Sequence, residues 1–383
     1  MIPPLPDFIF SIVAFLLEYL EVVRQTLPPP LPPPIDVLVS AVVQFVEIIS
    51  QLHVPVHTLI SQNYDGYPWV IQEQSIWNNL VVRPGNFWLL TGETPGSLSR
   101  VVQRIGGEVE ARVRDPWNPR RRLVRTRPYV LCLHDRILLT FLWLRNYQTL
   151  TTLSQQFGIS VSNVYDIIYT IVPILHEHYY RRYVAWHNEE AWEGQRNEFQ
   201  EFPNAVGAID ALAVQINRPQ GQAQRMYYRR DRGFHFLNFQ VVVDNDGYFQ
   251  FVRGGFLGHA TDADSFARLP AIGYQRQLHL PRGAYLLADG GYPAAEPLLT
   301  PFRRPRGGRL NLVRYRANVE LGRARVRVEH RIGDVRVYRS VPGRAGRFRA
   351  RREFVCVVVR VAVAFTNRRR MLIRAIINRF AAI

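Results

Sequence analysis

The spacing of apolar positions shifts along the chain from a helical period to an alternating, strand-like one. Phe8–Leu20 and Asp36–Ser50 carry the helical period, with Leu38, Ala41, Val42, Phe45, Ile48 and Ile49 on one face of the second segment. Between them Pro28–Pro34 (PPPLPPP) predicts a stiff polyproline spacer. Asn63–Val130 is mixed. Within it Thr94-Pro95 predicts a helix running through Ile105, and Pro119–Pro128 (PRRRLVRTRP) reads as a basic loop. His134–Leu175 is helical throughout. A first helix ends near Asn146, a second covers Thr149–Phe157, Gly158 supplies a left-handed turn, and Ser160 caps a third over Val161–Leu175. A polar, Trp-containing bridge, Ala185–Gln200, follows.

From residue 204 the period becomes two. Asn204–Ile216 (NAVGAIDALAVQI) predicts a strand buried on both faces, with the carboxylate of Asp210 in its middle. Tyr227–Asp231 turns through Gly233 into a second strand, Phe234–Val243. Asp244–Gly247 is a hairpin turn into a third, Tyr248–Phe256. A helix is expected across Asp264–Ile272. A fourth strand, Ala284–Ala288, runs into Asp289-Gly290-Gly291-Tyr292-Pro293, and the Arg-rich loop Arg303–Arg309 leads to a long helix, Val319–Val337. This order predicts an α/β architecture: a ribonuclease-H-like domain of mixed sheet flanked by helices, preceded by an all-α helix-turn-helix region. The expected divisions are residues 1–60, 61–200 and 201–383.

Composition adds a partner. The chain has 383 residues and a formal net charge of +17, and all 48 of its Lys+Arg residues are Arg. Such a balance points to a polyanion, and Arg pairs bidentately with phosphate. Codon bias toward GC accounts for much of the missing Lys. Phe8–Leu20 is too short for a bilayer span, contains Glu18, and is not preceded by positive charge, so neither a membrane partner nor a signal peptide is expected. The wide apolar faces of the two N-terminal helices call for cover, either from a second copy of the chain or from the helix-turn-helix region. Cys132 and Cys356 read as buried free thiols of a reducing compartment.

The candidate chemistry is acidic. A carboxylate inside an apolar strand is costly unless neutralised. A second one, Asp289, stands at a strand's C-terminal end before two glycines, where ligands collect in open α/β sheets. The long helix carries Glu329 between Val328 and His330. In a ribonuclease-H-like fold these three meet, and such hard oxygen ligands suit Mg²⁺ or Mn²⁺, two ions being able to activate an attacking oxygen and stabilise a leaving one. The competing reading is three unrelated carboxylates, each satisfied locally. In a helix-turn-helix the start of the last helix enters the major groove, which would turn Ser160, Ser162, Asn163 and Tyr165 toward DNA. An ordinary three-helix packing unit has the same pattern. Arg120, Arg121 and Arg122, together with Arg229, Arg230 and the stretch Arg347–Arg352, are candidate phosphate contacts.

Five motifs in order, GAID around Asp210, RGFHFLNFQVVVDNDG, GHATDADSF, LLADGGYPAAEPLLTPFR around Asp289 and RARVRVEHRIGDVR around Glu329, closely resemble the PIF/Harbinger family of DDE transposases and the domesticated nuclease derived from it. LLTFLWLRNYQTLTTLSQQFGISVSNVYDII resembles that family's helix-turn-helix. The resemblance covers roughly residues 90–375. It implies that Asp210, Asp289 and Glu329 are a catalytic, metal-binding triad, and that Asp262 takes the place of an auxiliary metal-ligating Asp. His259 is shifted from the family's usual position, and Ala211 stands where Gly is common. The resemblance further implies cleavage of double-stranded DNA at transposon terminal repeats and joining of the 3′-OH to target DNA. It also implies a Myb/SANT-like accessory protein and nuclear localisation (cytoplasmic without that accessory). Because transposition brings two element ends together, a homo-oligomer with the N-terminal helices in its contact is expected as well. A domesticated DNA-binding protein with a residual site and a nuclease without strand transfer are the other expectations.

Overall fold

The computed structural model describes residues 75–111, 114–115, 118–122, 130–221, 223–230, 232–305, 307–343 and 346–381. The helices and polyproline spacer expected over residues 1–60 lie outside the described residues. So do the side chains of Arg120, Arg121 and Arg122. The chain divides into two compact units, Met1–Ile174 with Met371–Ile383, and Leu175–Arg370.

The first unit is helical. α1 (Ile76–Val81), α2 (Pro84–Thr91) and α3 (Pro95–Ala111) precede a two-stranded antiparallel hairpin, β1 (Arg114–Asp115) with β2 (Asn118–Arg122). Part of the expected basic loop is therefore a strand, and α3 continues past Ile105 because Gly106 and Val109 are also buried. α4 (Leu133–Asn146) is buried from Leu133 to Leu144, as a central helix must be. It carries a buried carboxylate, Asp135, which accepts hydrogen bonds from Ser75 Oγ at 3.0 Å and the Trp77 N–H at 2.8 Å. α5 (Leu150–Phe157) and α6 (Val161–Leu175) follow, with the turn expected from their sequence. Thr149 caps α5, Gly158 has φ +62°, and the Asn163 N–H donates to Ser160 Oγ at 3.2 Å. The helix axes turn through 105° at this junction, within the range of helix-turn-helix motifs.

The second unit opens with a π-helical turn, His176–Tyr180, and α7 (Arg181–Tyr183). The polar bridge then contributes a short helix, α8 (Glu189–Glu193), whose Trp192 is fully buried among Val206, Ile209 and Tyr292. β3 (Ala205–Gln215) is the central strand. After α9 (Gln224–Tyr227) and β4 (Tyr228–Arg229), β5 (Phe234–Asp244) pairs antiparallel with β3 and β6 (Phe249–Leu257) antiparallel with β5. Next come α10 (Asp262–Phe266), the short parallel pair β7 (Ile272–Gly273) and β8 (Leu278–His279), then β9 (Tyr285–Leu287) and β10 (Leu298–Leu299). β9 lies parallel to β3 and β10 parallel to β9, so the sheet runs β10–β9–β3–β5, with β6 and β4 both pairing β5. The long helices α11 (Leu312–Arg336) and α12 (Arg352–Ala381) complete the chain. Three antiparallel strands extended by two parallel ones, with flanking helices, form the expected ribonuclease-H-like domain.

Local chemistry explains the joints. Gly207 sits so close to the neighbouring strand that a Cβ there would lie 2.4 Å from the Val243 carbonyl oxygen, so no larger residue fits. Gly247 (φ +82°) closes the β5–β6 hairpin as expected. Asp244, at the end of β5, is buried and accepts from the Tyr248 N–H at 2.8 Å and Gln250 Nε2 at 2.5 Å. His187 Nε2 lies 2.9 Å from the same carboxylate, which ties the bridge to the sheet. Instead of a helix over Asp264–Ile272, the short α10 begins at Asp262 under a capping box made by Thr261 and Asp264. α11 begins at Leu312, ahead of the expected Val319, where Asn311 accepts the Arg314 N–H at 2.9 Å. Cys132 and Cys356 are free and partly buried.

Candidate active site and nucleic-acid interface

Four elements each bring one carboxylate toward the same end of the sheet. Asp210 belongs to the middle of β3 opposite Val241, and its side chain leaves the face opposite that of Ile209. Asp289 stands just past β9, where its Oδ1 accepts the Gly291 N–H at 2.7 Å. Asp262 is the first residue of α10, buried, and accepts from Asn238 Nδ2 of β5 at 3.2 Å. Glu329 lies on α11 and is more than half exposed. Gly291 accounts for the close approach of two of them. A Cβ at that residue would meet Asp289 Oδ1 at 3.0 Å and Asp262 Oδ2 at 3.1 Å. The missing side chain leaves a cradle between two carboxylates.

The electrostatics follow from burial and crowding. Burial lifts the Asp210 carboxyl to about 6; the Arg325 guanidinium and the Ala211 N–H oppose the rise, while the Asp289 and Glu329 carboxylates add to it. Asp262 is raised as well, by burial and then by Asp289, against the bond from Asn238 and the charges of Arg229 and Arg232. Tyr292, buried beneath the cluster, is held well above its ordinary value by burial and by Asp210, Asp262 and Asp289. Its hydroxyl bonds Gln240 Oε1 of β5.

Arg325 is the cation paired with two of these acids. Arg325 Nη2 is 3.3 Å from Asp210 Oδ2, and its Nη1 is 3.9 Å from Glu329 Oε1. Arg325 and Glu329 are one helical turn apart, so they share a face of α11. The spacing is present in RARVRVE, but sequence reasoning alone does not single it out. It also misses Asn238, which donates to Asp262 from β5, and the buried Tyr292–Gln240 hydrogen bond next to the acids.

The all-oxygen donor set and the cradle at Gly291 fit a hard divalent cation. Among the described residues, however, no three carboxylate, His or Cys groups lie close enough together to hold an ion as they stand. The residues that would hold one are Asp210, Asp289 and Glu329, with Asp262 beside them, and Arg325 lies against both Asp210 and Glu329.

The other expected site residues fall in several places. Ser160 and Ser162 are exposed, and Asn163 and Tyr165 half-buried, at the start of α6. The Tyr165 ring stacks on Tyr169 at 4.0 Å. Arg230 is exposed, and Arg229 is half-buried beside Asp262. His259 faces outward, its backbone N–H and Nδ1 both bonding the Met226 carbonyl at 3.0 and 2.7 Å. Phe348 anchors the Arg347–Arg352 stretch, its N–H donating to the Gln215 carbonyl at the end of β3.

A sheet of this order with acids gathered at one end, and a separate helix-turn-helix, defines a class of nucleic-acid-processing proteins. Comparison with known proteins agrees and is more specific. Residues 209–367 match the family described as DDE superfamily endonuclease, and residues 129–180 match the helix-turn-helix of DDE superfamily endonuclease. The chain is of the DDE endonuclease superfamily and of its PIF/Harbinger type. A curated protein from Arabidopsis thaliana, "Protein ALP1-like", is 25% identical over 187 residues, 45% of this chain and 46% of that protein. The chain thus spans about half the length of the curated relative it matches. No solved structure matches it significantly.

Proposed function

We propose that this chain is a DNA transposase that cuts the ends of a mobile element and joins the freed 3′-OH to target DNA. The observation that carries the reading is the gathering of Asp210, Asp262, Asp289 and Glu329 within one another's field beside the arginines Arg229, Arg232 and Arg325. Asp210, Asp289 and Glu329 are the proposed catalytic residues, with Asp262 beside them. A bound Mg²⁺ or Mn²⁺ would supply activation of the attacking oxygen and stabilisation of the leaving one. Asn238 donates to Asp262, the Gly291 N–H orients Asp289, and the Tyr292 hydroxyl and Gln240 are buried and bonded to each other beside the acids. Arg229 and Arg232 offer positive charge to a phosphodiester placed against the acids.

The start of α6 is the proposed base-reading surface. Two full sites are needed to bring two element ends together, so a homo-oligomer belongs to the same proposal, as do the Myb/SANT-like accessory protein and a nuclear location. A second reading has its own observation. Because Arg325 ties Asp210 to Glu329 and, among the described residues, no three groups stand together for an ion, a domesticated DNA-binding protein with a residual nuclease site fits the same chain.

The deciding experiment is nicking of supercoiled plasmid by the purified full chain with Mn²⁺, with EDTA, and with Asp289→Ala. The transposase reading expects Mn²⁺-dependent nicks that both chelation and the variant remove. Nicks made equally by Asp289→Ala would sink the site assignment, and no nicks from the wild-type chain would favour the domesticated reading.

The helix-turn-helix makes a separate expectation. Asn163→Ala should change the sequences recovered from a random duplex pool while leaving the salt dependence of binding intact, because base contacts specify and phosphate contacts position. An unchanged sequence preference would reduce α5 and α6 to packing elements.

A further inference from the structure

The Arg-rich segment between the Asp289 strand and the Glu329 helix has no part in the site described above. From Pro297 to Val319 the sequence contains no acidic residue. Phe302, Arg303, Arg304, Arg309, Arg314 and Arg316 are all exposed. The segment is nevertheless held in place. The Phe302 N–H donates to Asn318 Oδ1 at 2.8 Å, Asn318 Nδ2 donates back to the Phe302 carbonyl at 2.9 Å, and the Arg314 guanidinium lies over the Phe302 ring at 5.3 Å. A strap between the loop and the first turns of α11 results.

The arginines of this segment differ from those farther along α11. Toward its C-terminal half Arg323 pairs with Glu320, Arg325 with Asp210, Arg327 with Glu198, and Arg331 with Asp334. Among the described residues Arg303, Arg304, Arg309, Arg314 and Arg316 have no carboxylate partner. Exposed apolar and aromatic groups stand beside them: Leu312 is 61% exposed, Val313 77% and Tyr315 58%. Four arginines farther along α11 are each paired with a carboxylate, whereas these five face solvent on a braced arm. Fixed positive charge interleaved with aromatic surface complements a nucleic-acid backbone rather than a neutral protein face.

We infer that Phe302–Arg316 is a DNA-binding arm, gripping the phosphates of duplex DNA that flanks the cleavage point. The inference rests on the nuclease reading above and adds to it a surface and a distance. Leu312 precedes Glu329 by about 25 Å along the axis of α11, at about 1.5 Å per residue. A duplex lying along the helix is therefore gripped roughly seven base pairs from the cut, at about 3.4 Å per step.

The test uses the full chain and a labelled duplex, with binding measured from low to high salt. The variant Arg303→Gln/Arg304→Gln/Arg309→Gln should lower the slope of log K against log salt by about 2 to 3, at about 0.9 for each phosphate no longer neutralised. Its Tm should match that of the wild type, because the three side chains hold no carboxylate in the folded chain. Hydroxyl-radical protection should disappear about seven base pairs from the nick while protection at the nick persists. Tyr315→Ala should weaken binding with the slope unchanged. A slope and footprint identical to wild type in the triple variant overturn the arm and leave Leu312 and Val313 to a protein partner. If the wild-type chain binds no DNA at any salt, the nuclease reading itself falls, and the arm with it.

Discussion

Asp210→Asn should lower DNA cleavage by about a hundred- to a thousandfold, the scale of losing one preorganised electrostatic group, and at the same time make the chelated protein more stable. The second half follows from proton linkage. Burial lifts the Asp210 carboxyl from 3.8 to about 6. The folded chain thus keeps a proton there that the unfolded chain has already released. Where the native state binds more protons, stability falls with rising pH, so the loss develops from about pH 4 to 6 and is constant above. Its full size is of the order of 3 kcal/mol. A neutral Asn avoids the loss. The gain over wild type should be small near pH 4, grow to about 1–3 kcal/mol by pH 7, and appear as a Tm increase of about 2–10 °C. Denaturation in EDTA at several pH values measures it. A variant less stable than wild type at pH 7 would show that Asp210 is a structural anchor rather than a strained acid.

The strained acid is conspicuous in the sequence because its neighbours are so plain. A single charge in NAVGAIDALAVQI has no apolar explanation, and the strand forms with Asp210 facing out of it. The β5–β6 hairpin is equally legible from Asp244–Gly247, and the helix-turn-helix from Gly158 and its two caps. Each of these rests on local chemistry. What escapes depends on partners distant in sequence. Phe354–Phe365 is so rich in Val that propensity disfavours a helix, yet α12 buries Val355, Val358, Val359 and Ala362, and tertiary burial outweighs propensity. Trp192 looks like part of a polar bridge, and only the sheet shows that it is core. The early start of α11 is hidden because Leu312, Val313 and Tyr315 are exposed, so no buried face marks those turns. Asp262 is one acid among several in ATDAD and is marked only by the family resemblance, while the partners that place it, Asn238 and the cradle at Gly291, are distant in sequence.

Arg325 escapes for a different reason, since an Arg in an Arg-rich helix carries no signal of its own. Its effect on the chain should nonetheless be large. Arg325→Gln is expected to cost about 2–4 kcal/mol in chelated protein at pH 7.5, because it leaves the Asp210 charge buried without its cation. The two side chains are 12% and 16% exposed, so water restores little of the lost pairing. With Arg325 gone the carboxyl should hold its proton to a still higher pH, since the guanidinium opposes the rise caused by burial. The penalty should therefore shrink as the pH falls toward 4, where Asp210 is neutral with or without its partner. It should also shrink in the Asp210→Asn background, where no buried charge remains to be stranded. The double-mutant cycle should give a coupling of at least about 1 kcal/mol, within the range for neighbouring residues that touch. Urea denaturation of the four proteins in EDTA supplies every number required. Equal penalties in both backgrounds would mean that Arg325 acts through its packing on α11, and that the ion pair with Asp210 contributes nothing to the fold.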